Sequence, residues 1–247
     1  MLLVGDSTAL TLGFALPPQG PTWDISLDNA GSEACGVAIG PLVKEDGVVG
    51  PPGAACNSTT PPAQQWPAQL RSMVAHDHPN VVALLAGRWE ITDRLYRGQW
   101  TNITQPAFRA YVERQLNLAI HIGTSSGAHM VLLTAPCFAS GEQPDGSPWP
   151  EDTASRLAAY NSSVRDVAAQ NRATTSVVDL HAMVCPGGTY HSLLDGVTVR
   201  APDGVHFPYY HLGQADAAAP DTRAQADAFG RWMAPRLIPE LVARGSS

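Results

Sequence analysis

Short runs of continuous apolar residues alternate along the chain with segments of helical periodicity. The apolar runs lie at 2–4, 81–86, 129–134 and 175–180, with a weaker one at 23–27. Helical spacing is found at 8–16, 63–76, 106–122, 152–171 and 224–242. Continuous apolar runs are typical of strands buried on both faces, as in a parallel sheet. The alternation predicts an α/β fold with a doubly wound parallel sheet and helices on both faces.

Three long stretches break this alternation, at 31–62, 136–150 and 185–222. The first is rich in Gly, Pro and Ala, so we expect a long loop without regular structure. Loops that follow the strands of a doubly wound sheet meet at the carboxyl ends of those strands, where ligands bind. No shift in composition divides the chain, so a single domain over residues 1–247 is predicted.

Composition narrows the classes of protein to be considered. The chain has 247 residues, 44% of them apolar and 15% charged, which excludes intrinsic disorder. Its 15 basic and 22 acidic residues give a net charge of −7, so no nucleic-acid partner is expected. No apolar run reaches the roughly 20 residues that span a bilayer. Because the sequence runs almost directly into its first strand, we expect the domain to come from a longer protein.

The four cysteines bear on the cellular compartment in which the protein works. None of them form a Cys-x-x-Cys pair, so a zinc ribbon or a thioredoxin-type site is not expected. Cys35 and Cys56 flank the Gly/Pro-rich loop, whereas Cys137 and Cys185 follow apolar runs that would lie side by side. Disulfides Cys35–Cys56 and Cys137–Cys185 would suit an oxidising, extracytoplasmic location. The alternative is four buried thiols.

The first strand ends in Gly5-Asp6-Ser7, and a helix follows. A serine at this position exposes its hydroxyl at the edge of the sheet. The helix N-terminus behind it offers backbone N–H groups and a positive dipole end to a developing oxyanion. The same three residues also form an ordinary turn and helix cap, so the tripeptide alone does not decide between the two.

Near the other end of the chain, Asp203 stands three residues before His206. An aspartate in such a turn can accept a hydrogen bond from the imidazole Nδ1, which leaves Nε2 free as a general base. One segment ends the first strand and the other precedes the last helix. The two segments can therefore meet over the carboxyl edge of one sheet.

Together these two segments resemble the first and last sequence blocks of the SGNH/GDSL hydrolases. The resemblance covers almost the whole chain and implies a flavodoxin-like sheet. It also implies Ser7 as nucleophile, His206 as general base and Asp203 as the residue that orients it. No metal or cofactor is implied. Asp6, which directly precedes Ser7, is expected to support the site.

A closer resemblance is to the SGNH domains that bacteria fuse behind membrane acyltransferase-3 domains. It is carried by Ala34-Cys35-Gly36 and by the segment 85–90, Leu-Ala-Gly-Arg-Trp-Glu. Those fused proteins are implicated in the O-acetylation of cell-envelope glycans and glycolipids. The resemblance implies a membrane-tethered, extracytoplasmic parent protein, with an acyl donor and a glycan or glycolipid acceptor as its partners.

The third family block departs from the usual Gly-x-Asn-Asp, whose Asn is an oxyanion donor. Here the block is Gly87, Arg88, Trp89 and Glu90. Trp89 in the Asn position cannot donate in the same way, so Arg88 becomes the candidate third donor beside the amides of Ser7 and Ala34. The alternative for Arg88 is an ion pair with Glu90 or Asp93. Gly87 and Glu90 are expected to support the site.

The expected function is therefore ester chemistry through an acyl-serine intermediate. The first expectation is transfer of the acyl group to a sugar hydroxyl. Two alternatives stay open. One is an esterase that uses water as the acceptor, because the acyl-serine chemistry is the same. The other is a non-catalytic glycan-binding domain that kept the fold.

Overall fold

A computed structural model describes residues 1–16, 23–209 and 220–245, without the side chains of residues 220 and 221. The strands in chain order are β1 (Leu2–Gly5), β2 (Asp28–Gly31), β3 (Val43–Glu45), β4 (Val48–Gly50), β5 (Val81–Leu85), β6 (Asp93–Tyr96), β7 (Gln99–Thr101), β8 (His129–Leu133), β9 (Thr175–Val178), β10 (Leu193–Leu194) and β11 (Val197–Thr198). The helices are α1 (Ser7–Ala15), α2 (Trp66–Asp77), α3 (Arg88–Ile91), α4 (Pro106–Gly123), α5 (Ala154–Gln170), α6 (Leu180–Val184) and α7 (Pro220–Gly245). Single 3₁₀ turns span Ala54–Cys56, Pro62–Gln64, Pro150–Asp152 and Pro186–Gly188.

The predicted α/β architecture is confirmed. Five parallel strands form one sheet in the order β2-β1-β5-β8-β9, which is the flavodoxin-type order 2-1-3-4-5. Helices α1 and α7 contact each other and one face of this sheet, while α2, α4 and α5 form a connected layer that contacts the other face through α4 and α5. The central strand β5 is buried at all five positions. Its continuous apolar sequence is what burial on both faces requires.

The edge strand β2 differs from the prediction. It lies at Asp28–Gly31, not at 23–27, and pairs Leu2 with Asp28 in parallel. A strand at the edge forms a ladder on one side only, so it needs no continuous apolar run. The apolar side chains of Ile25 and Leu27, which suggested the earlier position, pack against the core from the connection that precedes the strand.

The stretch 31–62 is not a loop without regular structure. It contains the hairpin β3–β4, which joins β6 and β7 in a separate antiparallel sheet of order β4-β3-β6-β7. Both hairpins turn through two residues with positive φ, Asp46-Gly47 and Arg97-Gly98. Such turns match the twist of antiparallel strands, and Asp-Gly is a strong signal for them.

Both predicted disulfides are confirmed. Cys35 is bonded to Cys56, and Cys137 is bonded to Cys185. The first closes a loop of 21 residues and the second a loop of 48. Disulfides form and persist in oxidising environments, so the pair indicates an extracytoplasmic protein. Among the helices described, none is long and apolar enough to cross a membrane.

Candidate active site

Ser7 sits on the tight turn that leads from β1 into α1. The preceding glycine, Gly5, has a φ of +137°, and a Cβ there would overlap the carbonyl oxygen of Leu85 on the neighbouring strand. The turn therefore requires glycine. Asp6 caps the helix, and Ser7 is its first residue, so the Ser7 side chain stands at the carboxyl edge of the sheet. It is 9% exposed.

The Asp6 carboxylate is buried and accepts hydrogen bonds from two parts of the chain. Thr8 donates its amide at 2.9 Å and also its hydroxyl, while the amides of Gly87 and Arg88 donate at 3.0 and 3.2 Å. Burial raises the pKa of Asp6 above its usual value, against the lowering effect of the hydrogen bonds from Thr8 and Arg88. The residue before Ser7 thus holds the start of α1 against the start of α3.

Ser7, His206 and Asp203 form one hydrogen-bonded chain. The distance from His206 Nε2 to Ser7 Oγ is 2.8 Å, and that from His206 Nδ1 to Asp203 Oδ2 is 2.7 Å. The other carboxylate oxygen of Asp203 accepts the amides of Val205 and His206 at 2.9 and 3.0 Å. The structure thereby brings together the two segments that the sequence analysis placed at one sheet edge.

The electrostatics of this chain of residues suit proton transfer. Burial on its own raises the pKa of Asp203, but hydrogen bonds from His206 and Val205 outweigh it and lower that pKa to about 2. Burial lowers the pKa of His206, yet the hydrogen bond and charge of Asp203 outweigh that effect and raise it. An ionised Asp203 therefore favours the imidazolium that forms when His206 takes a proton.

Two residues that line the cavity at Ser7 have backbone amides without an acceptor among the described residues. Within the described residues, no hydrogen bond uses the amide N–H of Ser7 or that of Ala34. Ala34 adopts a left-handed conformation with φ of +54° and lines the same cavity as Ser7. Non-glycine residues in this conformation are strained, and such strain clusters at functional sites. These are the two amides that the sequence predicts as oxyanion donors.

Arg88 does not take the position expected of an oxyanion donor. Its guanidinium is 1% exposed and lies among acidic groups: Nε donates to Glu45 at 2.8 Å, Nη1 to Asp152 at 2.6 Å and Nη2 to Asp46 at 3.1 Å and Ser140 at 3.0 Å. Burial lowers the pKa of Arg88, but the charges of Glu45 and Asp152 outweigh it and raise that pKa.

Arg88 therefore forms ion pairs, as the alternative expected. Its partners are Glu45, Asp46 and Asp152, not Glu90 or Asp93. Asp93 pairs with Arg156 at 2.7 Å instead, and the Glu90 carboxylate is directed elsewhere. The carboxylates around Arg88 come from the β3–β4 turn and from the segment before α5. No local pattern in the sequence links these segments to Arg88.

Gly87 and Glu90 hold the turn around the site. Gly87 has a φ of +154°, and a Cβ there would overlap the side chain of Ala135. Glu90 is fully buried and accepts the amides of Val37 and Ala38 at 2.7 and 3.1 Å. Burial raises the pKa of Glu90. Glu90 thus anchors the backbone that follows the Ala34 segment, a contact the sequence did not reveal.

A cavity of about 290 Å³ opens beside Ser7 Oγ and His206. Its other lining residues are Leu10, Thr11, Phe14, Glu33, Ala34, Trp89 and Tyr209. Phe14 and Tyr209 are stacked with ring centroids 6.2 Å apart, and Tyr209 also meets the His206 ring edge-on at 6.4 Å. Nothing in the sequence pointed to Phe14, Glu33 or Tyr209, because no spacing connects them to Ser7.

Metal ligands are not grouped in this site. Across residues 1–16, 23–209 and 220–245, no three His, Cys, Asp or Glu side chains are arranged to hold a metal ion. Comparison of the sequence with protein-family models and with curated proteins finds no match. The arrangement of Ser7, His206 and Asp203 is therefore the main indication of what the protein does.

Proposed function

We propose that the protein is a serine acyltransferase or esterase that works through an acyl-serine intermediate at Ser7. The observation that carries the proposal is the unbroken chain from Ser7 Oγ through His206 to Asp203, with distances of 2.8 and 2.7 Å. A nucleophile within hydrogen-bond reach of a base, which a third group orients, is the signature of covalent acyl transfer. The resemblance to SGNH/GDSL hydrolases agrees with this geometry.

In the first half-reaction, Ser7 Oγ attacks the ester carbonyl carbon while His206 Nε2 accepts the hydroxyl proton. The carbonyl electron pair moves to oxygen, where the amides of Ser7 and Ala34 would donate hydrogen bonds. Collapse of this intermediate breaks the bond to the leaving alkoxide, which takes the proton back from His206. An acceptor hydroxyl then gives its proton to His206 and attacks the acyl-serine, and the same steps release the new ester.

The acceptor that we propose is a hydroxyl of a glycan or glycolipid. The cavity beside Ser7 supports this choice because aromatic side chains of Phe14, Trp89 and Tyr209 line it together with the carboxylate of Glu33. Aromatic faces offer apolar contact area to a sugar ring, and a carboxylate accepts hydrogen bonds from its hydroxyls. Water in the place of that hydroxyl would make the protein an esterase.

The cellular setting is part of the proposal. The two disulfides favour an oxidising compartment. The resemblance to fused acyltransferase domains adds a membrane-tethered parent protein, whose membrane domain would deliver the acyl group to Ser7.

Hydrolysis of p-nitrophenyl acetate tests the acyl-serine chemistry. We expect turnover by the unaltered protein, and its loss by a factor of at least about 10³ in Ser7→Ala. Ser155→Ala, a change at an exposed serine of α5, is the matched control and should retain full turnover. Phenylmethylsulfonyl fluoride should add one mass increment at Ser7. Absence of both turnover and adduct would contradict the enzymatic proposal and leave the glycan-binding alternative.

The acceptor is tested by adding a chitooligosaccharide to the same assay and analysing the sugar by mass spectrometry. An acetylated sugar that requires Ser7 supports transferase activity. Free acetate as the sole product, at any sugar concentration, would establish an esterase.

A further inference from the structure

The walls of the active-site cavity combine aromatic rings with a single acidic group. The rings are those of Phe14, Trp89 and Tyr209, and the acidic group is the carboxylate of Glu33. Among the described residues that line the cavity, none is a lysine or an arginine. We call Phe14, Glu33, Trp89 and Tyr209 the aromatic–acidic wall. A ligand in this cavity meets aromatic rings and a negative charge, with the general base as the one basic side chain.

Glu33 brings a negative charge that no described residue balances. The residue is exposed, and no described side chain forms an ion pair with its carboxylate or donates a hydrogen bond to it. The carboxylates of Glu45 and Asp152 differ, because they pair with Arg88 at 2.8 and 2.6 Å. A cation that enters the cavity is therefore attracted to Glu33, whereas an anion is repelled by it.

Among the described arginines, none lies over the ring of Trp89 or that of Tyr209. Aromatic rings attract cations because their π systems carry negative faces. Elsewhere in the fold the chain's own guanidinium groups use this attraction. Arg236 Cζ, for example, lies 4.2 Å from the centroid of the Trp232 ring. A cation from outside the chain would therefore compete with no arginine of this kind at the rings of Trp89 and Tyr209.

The aromatic–acidic wall lies next to the reacting groups. Tyr209 stacks with Phe14 at 6.2 Å between ring centroids and meets the ring of His206 edge-on at 6.4 Å. His206 Nε2 is in turn 2.8 Å from Ser7 Oγ. One imidazole ring thus separates Tyr209 from the attacking oxygen. A group held against Tyr209 therefore belongs to a substrate whose reacting ester or hydroxyl is only a few bonds away.

We propose that the aromatic–acidic wall selects substrates that carry an ammonium group a few bonds from the reacting oxygen, an inference that rests on the proposed acyl-serine function. The rings of Trp89 and Tyr209 contact the ammonium group, and Glu33 balances its charge. A quaternary ammonium ester and an amino sugar with a free amine share this chemistry. The ammonium group keeps its charge and exchanges no proton, so attack by Ser7 and proton transfer through His206 proceed as with a neutral ester.

Two esters of the same shape measure this selection. Acetylcholine carries a quaternary ammonium group, and neohexyl acetate has carbon in place of that nitrogen. We expect kcat/KM for acetylcholine to exceed that for neohexyl acetate by about tenfold, because the cation gains the attraction of the rings and of Glu33. Equal values of kcat/KM for the two esters would overturn the role of the wall.

Three variants assign the selection to its residues. Glu33→Gln removes the negative charge at nearly constant shape, so the ratio of the two kcat/KM values should fall by about fivefold. Tyr209→Leu removes one ring, and the ratio should fall by about threefold. Glu142→Gln is the matched control: it removes one charge at an exposed position that does not line the cavity, so the ratio should not change. Equal changes of the ratio in Glu33→Gln and Glu142→Gln would overturn the assignment to this wall.

Binding of alcohols without an acyl group identifies the source of the ammonium group and needs no turnover. Isothermal titration calorimetry of the Ser7→Ala protein compares choline with neohexanol, and methyl glucosaminide with methyl glucoside. A dissociation constant about tenfold lower for a cation than for its neutral partner supports the selection. Such a difference in the first pair assigns a quaternary ammonium compound, and in the second pair an amino sugar. No difference in either pair overturns the inference.

Failure of the ammonium selection and failure of the proposed function give different results. Ser7-dependent turnover with equal use of acetylcholine and neohexyl acetate removes the ammonium selection alone. Absence of Ser7-dependent turnover removes the acyl-serine function, and the calorimetric pairs then show whether the wall binds ammonium groups.

Discussion

The carboxylate of Asp6 accepts a hydrogen bond from the amide of Gly87 at 3.0 Å, although the two residues are 81 positions apart. Asp6 precedes Ser7, and Gly87 begins the turn that leads to Trp89. This contact therefore ties the start of α1, which carries Ser7, to the start of α3, which carries Trp89. It also explains why a carboxylate is tolerated at a position with no exposure to solvent.

Asp6→Asn should damage both stability and activity. Both carboxylate oxygens of Asp6 accept hydrogen bonds from backbone N–H groups, those of Thr8, Gly87 and Arg88. In asparagine one of these oxygens is replaced by an NH₂ group, which cannot accept them. We expect a loss of about 2–4 kcal/mol in the free energy of unfolding by urea, and a lower turnover per folded molecule. Asp28→Asn, at an exposed position of β2, is the control and should be neutral within about 0.5 kcal/mol. Equal effects of the two changes would contradict the anchoring role of Asp6.

Turnover should depend on the charge of His206. The general base must be neutral, so kcat/KM should rise with pH through the pKa of His206, which Asp203 raises above its ordinary value near 6.5. Asp203→Asn removes the charge that favours the imidazolium. The rising limb should therefore move to lower pH while the plateau falls by about 10⁴-fold. A rising limb at the same pH in both proteins would show that His206 is not the titrating base.

Arg88 should act on stability. Arg88→Met leaves Glu45, Asp46 and Asp152 without their cation, and removal of one partner from a buried ion pair costs about 3–5 kcal/mol.

The control for Arg88 is Arg236→Met, which breaks an exposed pair with Asp195 and should cost less than about 1 kcal/mol. Urea unfolding at pH 7 measures both variants. A stable Arg88→Met protein with sharply reduced turnover would restore the catalytic interpretation of Arg88.

The two disulfides should stabilise the fold to different degrees. In the chain-entropy account, the 48-residue loop of Cys137–Cys185 contributes about 0.7 kcal/mol more than the 21-residue loop of Cys35–Cys56. Replacing each pair by alanines should therefore lower the free energy of unfolding by roughly 3–4 kcal/mol, more for the longer loop. Thiol titration of the denatured, unreduced protein should detect no free thiol. Detection of four thiols would contradict the extracytoplasmic assignment.

Local sequence carried enough information to predict four of the five strands of the parallel sheet and the three residues of the hydrogen-bonded chain, Ser7, His206 and Asp203. Strands such as β5 reveal themselves by continuous apolar residues, and Asp203 and His206 lie within one turn of each other. The flavodoxin-type topology then brings Ser7 to the same edge. These features were accessible because each depends on spacing within a few residues or on a general rule of connection.

Contacts between distant segments were not accessible in this way. The partners of Arg88 come from a hairpin about 40 residues before it and from a segment about 60 residues after it, and nothing in their spacing refers to Arg88. The antiparallel sheet was missed because its strands are three or four residues long and include charged residues such as Lys44. The Asp46-Gly47 turn was the one local sign of it.

The hydrogen bond between His206 and Ser7 joins residues 199 positions apart, and this separation makes the site a reporter of completed folding. A partly refolded chain that has formed β1 and β5 but not the segment after β11 carries a serine with no base beside it. Long-range contacts of this kind close late, because the chain between them must first be ordered. During refolding, recovery of ester hydrolysis should therefore lag behind recovery of the helical circular-dichroism signal.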